Sequence, residues 1–121
     1  MTIPVLICDD SAMARKQVTR SLPMSWDVDI TYAKNGVEGI EAIREGKAEM
    51  VFLDLTMPEL DGYGVLQKIQ EEQHKTIVIV ISADIQPEAR ERVMALGALD
   101  FIKKPIDWPK LEEVLKRYGL L

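Results

Sequence analysis

The chain has 121 residues, 47% of them apolar and 29% charged, and a net charge of −5. This describes one ordinary globular domain spanning residues 1–121, long enough to bury about two-thirds of its unfolded surface. The acidic balance argues against a nucleic-acid surface, no apolar stretch reaches the ~18–20 residues of a membrane span, and the single cysteine, Cys8, excludes an internal disulfide.

Ile3 to Cys8 reads as an apolar strand with Pro4 near its start, where a missing N–H is tolerated. It runs into Asp9-Asp10. The start of the chain lacks a basic segment ahead of an apolar core, so no export signal is visible and a cytoplasmic protein is expected. Cys8, inside the apolar run, is expected to be a buried, inert thiol. Ser11 can cap a first helix that runs through about Leu22, with Ala14, Val18 and Leu22 on one face and Arg15, Lys16 and Arg20 off it.

Val28, Ile30 and Tyr32 alternate with Asp29, Thr31 and Ala33, which predicts a second strand with one wet face at a sheet edge. Asn35-Gly36 marks a turn, and Val37, Ile40 and Ile43 space a second helix ending near Gly46. Gly39, inside that helix, is a position where helix and sheet could approach closely. Met50 to Leu53 is continuously apolar and delivers Asp54 to its carboxyl end. Such a run predicts a strand buried on both faces of a parallel sheet.

Asp61-Gly62 leads into a third helix with Val65, Leu66 and Ile69 inward. His74 sits in its polar exit and is expected to be solvated. Ile77 to Ile81 is the purest β-branched run and ends in Ser82. Gln86-Pro87-Glu88 opens a fourth helix with Ala89, Val93 and Leu96 inward, stopped by Gly97. Leu99 to Ile102 is a short fifth strand followed by Lys103-Lys104-Pro105. Trp108, Leu111, Leu115 and Tyr118 form the apolar face of a last helix, and Trp26 and Trp108 read as packing residues.

Five strand–helix repeats predict an α/β fold: a doubly wound, five-stranded parallel sheet in the order 2-1-3-4-5, the alternating strand at the rim. In such a sheet the strand ends share one edge, and ligands bind there. Asp9, Asp10, Asp54, Ser82 and Lys104 therefore converge, on strands about 4.8 Å apart. Singly each has a plain reading: a helix cap, a turn acid, a second cap, a solvated lysine. Together they crowd three carboxylates, and one such pair at ~5 Å costs about 3 kcal/mol at an effective dielectric of ~20. Hard oxygen donors suit Mg2+; Zn2+ is disfavoured because His74 is the only histidine. A carboxylate beside Mg2+, a lysine and a hydroxyl can accept a phosphoryl group as an aspartyl phosphate.

In Asp9-Asp10, in Asp54 followed by Met57-Pro58 and Gly62, in Ser82-Ala83 and in Lys104-Pro105, the chain resembles the receiver domains of bacterial two-component response regulators. The likeness covers essentially its whole length and is strongest to the stand-alone, chemotaxis-regulator-like receivers. It implies a flavodoxin-like (βα)5 fold and a regulatory domain rather than an enzyme. It implies that Asp54 takes a phosphoryl group from a histidine kinase or phosphotransfer protein. Asp10, Asp54 and the main-chain carbonyl of Thr56 would hold Mg2+, with Asp9 assisting. Ser82 and Phe101 would be the switch pair, Lys104-Pro105 would be cis, and Thr56 and Asp84 would influence how fast the phosphoryl group is lost. The 121 residues leave no room for an effector domain beside the receiver, so a downstream protein is expected on the fourth helix, fifth strand and fifth helix, near Arg90, Met94, Phe101 and Trp108. Two other functions compete. A Mg2+-dependent phosphatase would need a substrate cap for which the chain has no spare sequence. A flavin carrier would need a phosphate cradle where Asp9 and Asp10 stand.

Overall fold

A computed structural model describes residues 2–84 and 86–121. The strands are β1 (Ile3–Cys8), β2 (Val28–Ala33), β3 (Met50–Leu53), β4 (Ile77–Ser82) and β5 (Asp100–Lys103). The helices are α1 (Ala12–Ser21), α2 (Gly36–Arg44), α3 (Gly62–Glu71), α4 (Pro87–Ala95) and α5 (Trp108–Arg117). All neighbouring strands are parallel and the sheet order is β2-β1-β3-β4-β5. Cys8 pairs with Leu53, and Leu53 with Val80, so β1 and β3 end level and β4 runs two residues further, to Ser82.

The two-residue period of a strand sends each central run into two cores. Leu6, Cys8, Val51, Leu53, Val78 and Val80 pack with Val65, Leu66 and Val93 of α3 and α4. Val5, Ile7, Phe52, Ile79 and Ile81 pack on the opposite face with Val18, Leu111 and Leu115 of α1 and α5. This is why the runs show no polar alternation.

Local chemistry starts the helices where the sequence indicates. Ser11, Asn35, Asp61 and Asp107 each cap a helix through a side-chain oxygen that accepts a main-chain N–H. α4 has no such bond and begins on Pro87 instead. Gly39 does allow close approach: a Cβ there would lie 2.9 Å from Cys8 Sγ.

Several side chains depart from the sequence expectation. The edge strand has no uniformly wet face: Ala33 is 1% exposed beneath α2, whereas Tyr32 is 49% exposed, with its hydroxyl 2.8 Å from that of Thr19. Val37, in the first turn of α2, is exposed, because the inward stripe of that helix is Ile40 and Ile43. On α5 Val114 takes the inward place beside Leu111 and Leu115, and Trp108 and Tyr118, at the helix ends, stay partly exposed. β5 begins and ends one residue later than expected. His74 is paired rather than merely solvated: its Nε2 lies 2.9 Å from Glu72, which also holds Arg44 of α2.

Gly62 opens α3 against the loop that leaves β3. A Cβ on it would lie 2.4 Å from the Asp54 carbonyl oxygen and 2.8 Å from Leu55 Cα, both main chain. At Gly64 the nearest atom would be the flexible end of Leu60. Gly62→Ala should therefore cost about 2 kcal/mol or more in urea unfolding, and Gly64→Ala less than about 1 kcal/mol.

Candidate functional site

Main-chain bonds carry the sheet one residue past its formal ends. Asp9 N–H donates to Ala33 O (3.0 Å), Asp54 N–H to Cys8 O (2.9 Å) and Lys104 N–H to Ser82 O (2.8 Å). Asp9, Asp54 and Lys104 are thus fixed on backbone as ordered as the strands. Asp9 is 4% and Asp54 6% exposed, and Asp10 is exposed. One carboxylate oxygen from each of Asp9, Asp10 and Asp54 falls within a 4.8 Å group. Lys104 Nζ lies 2.9 Å from Asp9 Oδ2 and 3.4 Å from Asp54 Oδ1. The other oxygen of Asp9 accepts the Ser11 N–H at 2.9 Å. The Lys104–Pro105 peptide is cis.

Ser82 is 3% exposed, and its hydroxyl oxygen accepts the Asp84 N–H at 3.1 Å. Phe101 pairs in register with Val80, so it lies on the same sheet face as Ser82, partly buried against the α2–α3–α4 core. Thr56 is exposed in the loop after β3.

Burial raises the Asp54 carboxyl above its ordinary range, and the Asp9 charge adds to this; Lys104 and the Leu55 N–H pull it back only in part. Burial alone would lower Lys104, but its hydrogen bond to Asp9 and the charges of Asp54 and Asp9 raise it. The ammonium therefore stays charged. Three carboxylates and one ammonium leave a formal −2, which a divalent cation would neutralise. The donor set, all hard carboxylate oxygen, suits such an ion. Cys8, buried next to this charge, has its thiol pushed up to about 12, by burial first and then by Asp9 and Asp54. It is inert, as its place in an apolar run predicts.

The structure brings Asp9, Asp10, Asp54, Ser82 and Lys104 to one sheet edge. It also shows two supports that the sequence reading passed over. Arg15 Nη1 donates to the Asp9 carbonyl at 2.7 Å, pinning the β1–α1 turn. Lys110 Nζ donates to Lys103 O (3.4 Å) and Pro105 O (2.8 Å), the carbonyls on either side of Lys104. Each is a basic residue on the first turns of a helix that leaves the site, and that position was the available signal.

Residues 5–116 match the family model described as the response regulator receiver domain. Protein-glutamate methylesterase/protein-glutamine glutaminase 3 of Geobacter sulfurreducens is 42% identical over 104 residues, which cover 85% of this chain and 28% of that protein. The chain thus spans under a third of that relative's length. The CheX-CheY-BeF3-Mg+2 complex from Borrelia burgdorferi contains a similar chain, with TM-score 0.87 and 31% identity, covering 98% of this chain and 90% of that one. The response regulator domain of Thermotoga maritima CheB gives TM-score 0.82 at 29% identity, covering 97% and 96%.

The electrostatics set two expectations. In metal-free buffer Asp10→Asn should raise stability by about 1 kcal/mol or less, since Asp10 is exposed, and should remove most of the stabilisation by added Mg2+. An unchanged Mg2+ response in thermal unfolding would place the ion elsewhere. A raised Asp54 pKa means the folded state holds its proton longer than the unfolded chain does. That contribution is fully present below the ordinary value of 3.8 and is lost as pH rises through the raised one. Asp54→Asn should flatten this part of the metal-free stability profile.

Proposed function

We propose that this chain, which belongs to the response regulator receiver domain family, uses Asp54 as the phosphoryl acceptor in its work as a phosphorylation-activated two-component switch. One observation carries the assignment: a buried carboxylate at a sheet edge, 3.4 Å from a lysine ammonium and grouped with two further acids. Of the two buried acids that face Lys104, Asp9 has one oxygen on the lysine at 2.9 Å and the other on the Ser11 N–H, which leaves Asp54 the freer to attack.

An Asp54 carboxylate oxygen attacks phosphorus. The new O–P bond forms as the bond to the donor's histidine nitrogen breaks, and the departing imidazole keeps the electron pair and takes a proton from water. Lys104, already oriented by Asp9, meets the phosphoryl oxygens where charge builds up. Ser82 accepts from Asp84 and so has its own proton to donate to a phosphoryl oxygen. Asp10, Asp54 and the Thr56 carbonyl, with Asp9 assisting, would hold Mg2+, which when bound neutralises charge on the transferring group. The similar chain in a BeF3-Mg+2 complex supports this choice of ion and of chemistry.

The domain is regulatory. The switch is Ser82 moving toward the phosphoryl group and Phe101 rotating inward behind it, on the same sheet face. Phe101 has no hydroxyl, so burial of its ring is the whole gain. The moving parts border α4, β5 and α5, where Arg90, Met94, Phe101 and Trp108 form the surface for a downstream protein. The donor is a histidine kinase or phosphotransfer protein, and the chain works in the cytoplasm, where ATP-derived phosphoryl groups are available. No helix among the described residues is long and apolar enough to cross a membrane. A phosphatase reading is not favoured, because residues 5–116 match the receiver domain family and the described residues hold only the five strands and five helices of the doubly wound sheet.

Incubation with acetyl phosphate and Mg2+ should add one phosphoryl group to the wild type and none to Asp54→Asn, read by intact mass; full labelling of the variant would refute the acceptor assignment. Substituting Met94 and Trp108 together should weaken phosphorylation-dependent contacts without changing that label.

A further inference from the structure

Lys104 stands at the end of an edge strand. β5 pairs only with β4, and its last rung is the Lys104 N–H on Ser82 O at 2.8 Å. Past that rung, no main-chain hydrogen bond among the described residues holds the chain until Leu111 N–H meets Asp107 O at the start of α5. Pro105 has no N–H to offer. The loop that carries the working ammonium is therefore tied by its own sheet on one side only. Lys110 covers the other side. Its Nζ donates to Pro105 O at 2.8 Å and, more weakly, to Lys103 O at 3.4 Å. Asp107 accepts the Lys110 N–H at 2.9 Å, which fixes the helix turn from which that ammonium reaches back over the loop.

Helix stability does not explain a lysine here. Lys110 is the third residue of α5, at the positive end of the helix dipole, where an acid is favoured and a cation is opposed. It borders three further cations, Arg90, Lys103 and Arg117. The neighbouring acids are already taken: Asp100 by Arg90 and Arg117, Glu113 by Arg117. Lys110 forms no ion pair among the described residues, and the two carbonyls are the only hydrogen-bond partners of its ammonium there.

We propose that Lys110 is a positioning residue for phosphoryl transfer: by clamping the carbonyls on either side of Lys104 it keeps the Lys104 ammonium between Asp9 and Asp54. The inference rests on the reading of Asp54 as the acceptor. Lys104 Nζ lies 2.9 Å from Asp9 Oδ2 but 3.4 Å from Asp54 Oδ1, and its side chain is 26% exposed. It has room to swing toward Asp9 or solvent, so the backbone beneath it decides where the charge sits. Misplacing a reacting group by about 1 Å costs up to ~100-fold in rate. A charged donor holds a carbonyl more firmly than a neutral one. An apolar side chain at position 110 would leave both carbonyls to water and the loop untied. Lys110 bonds to none of Asp9, Asp10 and Asp54, so its action passes through Lys104.

The test is a double-variant cycle on the full chain. The rate of Asp54 labelling by acetyl phosphate is followed by intact mass across a Mg2+ titration. The chains compared are the wild type, Lys110→Met, Lys110→Arg, Lys104→Met and the Lys104→Met, Lys110→Met double variant. Lys110→Met should label ~10-fold more slowly, with half-saturating Mg2+ within ~2-fold of wild type because the acids hold the ion. Lys110→Arg keeps the charged donors and should recover the rate to within ~3-fold. In the Lys104→Met background, Lys110→Met should slow labelling no further. The urea midpoint of Lys110→Met should move by less than ~0.5 M; if it moves more, Lys110→Gln takes its place throughout and the same outcomes decide. A wild-type rate in Lys110→Met, equal slowing with and without Lys104, or a shift in Mg2+ dependence in place of rate overturns the positioning role, while a labelled Asp54 leaves the switch reading standing. Absence of label in the wild type overturns the acceptor reading itself.

Discussion

Repulsion among Asp9, Asp10 and Asp54 is the constraint around which this molecule is built. Two of the three are nearly buried, and one lysine offsets only one charge. A fold that merely maximised stability would not place them together, because like charges repel, by about 3 kcal/mol for a pair at ~5 Å and an effective dielectric of ~20, and by less where a partner is exposed, as Asp10 is. The cluster persists because the surrounding structure over-determines it. Three parallel strands, each apolar toward both cores, hold the backbone beneath the acids, and the ladder continues through Asp9 and Asp54 themselves. The stored unfavourable energy is what gives a cation and a phosphoryl group something to relieve.

The supports around the acids follow from the same need. Arg15 grips the carbonyl of Asp9, and Lys110 grips the carbonyls flanking Lys104. Neither touches the carboxylates of the cluster; each fixes main chain from which a working side chain projects. Gly62 serves in a different way, by leaving room for the Asp54 carbonyl where any Cβ would collide. The site is thus held from three helices as well as from the sheet.

Ser82 and Phe101 are neighbours on adjacent strands and on one sheet face. Phe101 also borders a cavity whose four cations and two acids leave +2, and Asp100 beside it ties α4 to α5 through Arg90 and Arg117. The aromatic ring thus lies between the acidic site and a surface whose charge opposes that of the rest of the chain. Both the site and the surface draw on the short stretch from Asp100 to Lys104, so a change at either end need travel only a few residues.

Periodicity and strand-end chemistry were enough to read the element order, the sheet order, the caps at Ser11 and the acids at the strand ends from the amino-acid order alone. These depend on local pattern: unbroken apolar runs mean burial on two faces, and whatever follows such a run in a parallel sheet must lie on the shared edge. What needed the tertiary structure was every contact between distant segments that shows no periodic signature. Tyr32 and Ala33 changed places with respect to solvent because a helix from later in the chain covers one side of the rim. Asp100, inside the short strand expected over Leu99 to Ile102, carries no sign in the sequence that Arg90 and Arg117, ten and seventeen positions away, close over it. Long-range pairing of charges leaves no mark in spacing, since any lysine or arginine could have supplied it; only the folded path of the chain decides which one does.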